Sequence, residues 1–177
     1  KYGEIDENEL QDYDPRCCLT ADEVAAHADG LLAGIPLSQL RGSVESATVS
    51  IRAWQDRLGK QLYGLAEVAM EGDDQERLAD YASLSYKTHM PLVAAGDVRY
   101  HCRDRQPLHD ALAAVRYGRT VESIQEKLLS NGERHLQDIK HVVERFSILP
   151  GAVDRTLEIA SRCTFSLDDI SYEYPHA

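Results

Sequence analysis

Apolar and polar positions along the first half of the chain alternate between helical and strand periods. Thr20-Ala-Asp-Glu23 forms a capping box, with Thr20 as N-cap and Glu23 reaching back to its amide. The helix it starts runs to about Asp29, and Gly30 suits the position just past its end. Leu31–Gly34 reads as a short buried strand stopped by Gly34 and Pro36. Val44, Ala47, Ile51, Trp54 and Leu58 then fall on one face at helical spacing, and Gly59 ends that helix. Gln61–Val68 reads as the next strand. After an acidic loop at Glu71–Asp74, a helix over Asp74–His89 turns Leu78, Tyr81, Ala82 and Ser85 inward. The run Pro91–His101 is apolar until it stops at Gly96, so Leu92–Ala95 is a third buried strand. Helix and strand therefore alternate three times with short connections, which predicts parallel strands joined by right-handed crossovers. Three strands make a small sheet, and further strands are expected outside this sequence.

Beyond Asp97 the strand period is lost. Helices are predicted over Leu108–Tyr117, closed by Gly118, and over Thr120–Leu129, with Thr120 as N-cap and Asn131-Gly132 at its end. Two more follow at Asp138–Arg145 and Gly151–Arg162, the last with Val153, Leu157 and Ala160 on one side. Ser166–Pro175 is acidic and aromatic and reads as extended. Residues 1–18 are acidic and punctuated by Asp and Pro15, with Ile5 and Leu10 as aliphatic anchors, and read as a loop or tether. The organisation predicted is a tether (1–18), an α/β part (19–106) and a helical part (107–177).

Composition narrows the function classes. At 177 residues and 43% hydrophobic, the chain can bury one real core. Its 30 acidic against 19 basic residues, a net charge of −11, argue against a major phosphate-backbone binder. The longest uncharged stretches, such as Gly30–Leu40, are far shorter than a membrane span, and no signal peptide opens the chain. A cytoplasmic location is expected. Cys17, Cys18, Cys102 and Cys163 have no CxxC spacing and read as reduced thiols. A start at Lys1-Tyr2 rather than Met points to a piece of something longer.

Chemistry in α/β sheets sits beyond the carboxyl ends of the strands, which directs attention to Asp97, Arg99 and His101. If the extended conformation persists, these three face one way. Asp97 can serve a metal or phosphate site, or simply cap a turn after Gly96. His101, Cys102 and His109 form a loose trio that lacks the short spacings of structural zinc sites, so packing and surface roles are favoured. Glu67 lies among apolar neighbours and is either a buried, partnered acid near a site or an outward-facing one. Arg103-Asp104-Arg105 could touch phosphate but reads better as a solvated charge cluster, and Trp54 reads as core. The chain has no G-x-G-x-x-G, P-loop, H-E-x-x-H or nucleophile elbow.

Residues 91–117 and 151–175 together resemble bacterial C-family DNA polymerases. PLVAAGDVRYHCRDRQPLHDALAAVRYG is similar to a family stretch in which a strand enters Asn-Asp-Val-His-Tyr and a Pro-Leu-x-Asp-x-Leu helix follows. NGERHLQDIKHVVERF and AVDRTLEIASRCTFSLDDISYEYP are similar to what comes next, through Glu133-Arg-His-Leu136 and the ending at Tyr-Glu-Tyr-Pro175. That ending is similar to the error-prone, damage-tolerant branch rather than the replicative DNA polymerase III alpha subunit. The similarity covers most of residues 19–177 and is fainter before residue 60.

The resemblance implies the later part of a PHP (polymerase and histidinol phosphatase) domain, a distorted TIM-like β/α barrel with parallel strands, here partial. The family's strand ends can hold divalent zinc, manganese or iron, and its His-x-His strand would precede residue 1. Two family ligand motifs would fall within this chain. One is a Cys after the strand at Leu31–Gly34, where Ile35 and Pro36 stand, and the other is Asp-x-His, matching Asp97-Val98-Arg99. Only Asp97 remains as a metal position, because guanidinium has no lone pair for a cation. The expectation is that Arg99 fills the vacated space and pairs with Asp97. Bound zinc or manganese, and any PHP phosphoesterase or proofreading activity, are then not expected. The implied parent is an error-prone DNA polymerase of translesion synthesis and damage-induced mutagenesis, using Mg²⁺ on palm carboxylates beyond residue 177. The segment itself carries no catalytic residue. Implied partners are primer–template DNA and dNTPs through other domains, the sliding clamp and mutagenesis accessory proteins, with no membrane. A barrel without its first strands exposes an edge, so self-association is expected of the isolated segment. The rival readings are a stand-alone PHP-type metal-dependent phosphoesterase, which needs an intact ligand set, and an α/β interaction module.

Overall fold

The computed structural model describes residues 19–40, 43–167 and 170. The acidic tether, Cys17 and Cys18, and most of the Ser166–Pro175 ending lie outside the described residues. Three strands, β1 (Ala33–Pro36), β2 (Leu62–Glu67) and β3 (Leu92–Ala95), pair in parallel in the order β1-β2-β3. Helices α2 (Val44–Leu58) and α3 (Asp74–Thr88) make the two crossovers, as the helix–strand alternation predicts. Ala33 lies opposite Leu62 and Gly64 opposite Leu92, so Leu62, Gly64, Ala66, Leu92, Ala94 and Ile35 share the face that packs on the helices. Ile51 and Leu58 of α2, and Leu78, Tyr81 and Leu84 of α3, close the core on that side. Tyr63, Leu65, Glu67 and Val93 line the opposite face.

The described sheet is open: two edges remain, and its strands do not close into a barrel. Several sequence expectations are corrected. The first helix, α1 (Ala21–Ala26), keeps the Thr20–Glu23 capping box but stops before Asp29. The first strand lies two residues later than predicted. Leu31 is largely exposed, while Gly34 and Pro36 belong to β1 rather than ending it. On α3, Leu84 rather than Ser85 fills the core; Ser85 Oγ instead donates to the Met90 carbonyl.

The helical part begins with a 3-10 turn at Arg103–Arg105 and α4 (Gln106–Arg116), which starts two residues earlier than predicted because Pro107 fits the first turn. Val121–Lys127 is 3-10 rather than α, kinked at Ile124, and Thr120 makes no side-chain cap there. Next come α5 (Ile139–Arg145), capped by Asp138, and α6 (Pro150–Arg162), with proline in its first turn. Helix α6 runs along β3, where Arg155 Nη1 donates to the Leu92 carbonyl at 2.5 Å. Tyr63 Oη donates to Glu158 Oε1 at 2.7 Å and accepts from Arg162. Ala152 and Val153 therefore face the core, while Leu157 and Ala160, placed on one side with Val153 by the pattern, are exposed.

Candidate functional site at the carboxyl end of the sheet

All three strands run out at the same end, so their following loops converge there. After β3 the backbone turns at Asp97, whose φ of 41° is in the left-handed region that Asp tolerates through its short polar side chain. The extended conformation does not persist, and the expected one-sided row of Asp97, Arg99 and His101 is broken. Arg99 nevertheless returns to the acid, with Nη2 2.8 Å from Asp97 Oδ1. The other oxygen, Oδ2, accepts from Arg134 Nη1. Both oxygens of this carboxylate thus meet a guanidinium.

Arg134 also donates through Nη2 to Glu71 Oε1 at 2.9 Å. Glu71, in the loop after β2, accepts from Arg77 Nη1 at 2.8 Å and from Ser130 Oγ at 3.2 Å. Asn131 Nδ2 donates to the carbonyls of Ala69 (2.7 Å) and Met70 (3.1 Å). The backbone joins in: Arg99 N donates to the Arg134 carbonyl at 2.8 Å, and Tyr100 bridges His135 as a minimal parallel pair. One residue away, Glu133 accepts from Arg145 and lies 3.4 Å from Arg103. Residues 130–136 therefore tie the strand ends to both the α4 entrance and α5.

The remaining candidates resolve separately. Glu67 is buried on the sheet face opposite α2 and α3 and accepts from Ser38 Oγ. Ile35 lies opposite Gly64 and packs against the helix-side core. His101 is exposed and takes no part in the ion pairs described above, whereas His109 stacks edge-on against Tyr100, with ring centroids 5.8 Å apart. Trp54 packs against the core. Arg103 pairs with Glu133 rather than with its neighbour Asp104.

Sequence reasoning missed Arg134, Glu71, Arg77 and Asn131 as members of one constellation. Glu133-Arg-His-Leu136 was recognisable as a motif, but nothing local shows that Arg134 meets a carboxylate 37 residues earlier.

Each Asp97 oxygen is held by a fixed cation, and guanidinium cannot ligate a metal ion. Among the described residues, no three His, Cys, Asp or Glu side chains gather as a ligand set. The arrangement can neutralise the acids and fix the strand-end loops.

Burial pushes the Glu71 carboxyl up, but hydrogen bonds from Arg77 and Arg134 outweigh it and hold the group below the ordinary glutamate range. Glu133 behaves alike, with Arg145 overcoming the cost of burial. A depressed folded-state pKa contributes stability that is present above the unfolded value, about 4.3, and lost as pH falls through the folded one. Thermal unfolding measured across pH is expected to show these contributions intact between about pH 6 and 8 and eroding below about pH 4.3. A chain equally stable at pH 3 and pH 7 would contradict the pairing.

No family model matches the chain. It is similar to a protein named error-prone DNA polymerase from Rhodopirellula baltica, 37% identical over 168 residues and 90% of this chain. A protein of the same name from Pseudomonas syringae pv. tomato is 35% identical over 150 residues, or 85% of the chain. One from Methylococcus capsulatus is 44% identical over 110 residues, or 62%. The chain spans 15%, 14% and 10% of the lengths of these relatives, respectively. Among the described residues, no helix is long and apolar enough to cross a membrane.

Proposed function

We propose that this chain is a segment of an error-prone DNA polymerase, the later part of its PHP domain, in which arginines stand where the family holds metal. One observation carries the reading: proteins named error-prone DNA polymerase match the chain collinearly over as much as 90% of its length. The strand-end geometry supports the second half of the proposal. Arg99 and Arg134 take the two oxygens of Asp97, the one acid retained from the family's Asp-x-His motif. A permanently charged guanidinium there neutralises the acid without exchanging with solvent ions. The segment's role is then to hold its strand ends rigid and support the polymerase body.

Nucleotidyl transfer belongs to other parts of the parent. Mg²⁺ on carboxylates outside this chain would stabilise the attacking and leaving oxygens as dNMP joins a primer 3′ end. Primer–template DNA and dNTPs would engage those parts, as would the sliding clamp and mutagenesis accessory proteins. The net charge of −11 fits a segment that leaves the phosphate backbone to others.

Primer extension by the purified full-length protein tests the proposal. With Mg²⁺ and dNTPs, extension past a damaged template base is expected. Failure to extend any primer, with hydrolysis of a phosphate monoester instead, would overturn the polymerase reading in favour of a phosphoesterase.

A further inference from the structure

We draw no further inference here: the strongest candidate, the side-chain cluster of Tyr100, His109 and Asp110 where the loop after β3 meets α4, carries none because nothing in the structure shows which ligand its buried polar atoms would take.

Discussion

Arg134→Ala is expected to destabilise the chain by about 2–3 kcal/mol at neutral pH, at or below the lower end of what breaking a fully buried ion pair costs. Arg134 is 15% exposed and bridges Asp97 and Glu71, which are 23% and 26% exposed. Truncation leaves these two part-buried carboxylates sharing one end of the sheet, with Arg99 and Arg77 as their remaining guanidinium partners. Solvent access to both acids is what keeps the effect from the upper end of the range. Urea unfolding of this chain measures the loss. The difference from wild type is expected to shrink as pH falls through the depressed folded-state value of Glu71, where that carboxylate takes up a proton and no longer needs the cation. Glu71→Gln in the same background should cost less than it does in the wild type, because the two residues act as one unit. Arg134→Lys keeps the charge but cannot hold two carboxylates at fixed angles, so it recovers part of the stability at most.

Gly64→Val is expected to cost about 3 kcal/mol, the upper end of ordinary overpacking. A Cβ at this position would stand 2.6 Å from Met90 Cε, 3.0 Å from Leu92 Cδ2 and 3.3 Å from Leu37 Cδ1. Met90 is fully buried, so its methyl group cannot swing out to solvent. Strand propensity by itself predicts the opposite sign, since valine is favoured over glycine in strands. The sign of the measured change therefore separates packing from propensity. Gly64→Ala tests the same contact more gently, at about 1 kcal/mol, because the flexible end of Met90 can shift by part of the deficit.

Elements with a strong, uninterrupted period were legible in the sequence. Val44–Leu58 and Leu62–Glu67 stand close to where the pattern places them, because their apolar positions report burial directly. β1 lies later than its pattern suggests because Gly34 and Pro36 look like stop signals, yet proline is tolerated at the end of a strand on the edge of the described sheet. Of the three apolar residues that the pattern puts on one side of α6, only Val153 packs against the core. The docking of α6 on β3 is decided by small Ala152 and by polar ties from Arg155, Glu158 and Arg162, which an apolar count overlooks. Turn geometry hid the 3-10 character of Val121–Lys127, where Ile124 departs from helical dihedrals.

The candidate site divides along the same line. The pairing of Asp97 with Arg99 is what the family resemblance implies, since Arg99 stands where the family's Asp-x-His motif has its His. The other half of the clamp comes from the 130–136 loop, and Glu71 from the loop after β2, brought together by the parallel crossovers rather than by any local pattern.

Metal analysis of the purified full-length protein, after dialysis against micromolar zinc and manganese, tests the arginine-for-metal account most directly. The account predicts far less than one equivalent of either metal, and no change on Asp97→Asn. One equivalent of zinc or manganese that is lost in Asp97→Asn would contradict it.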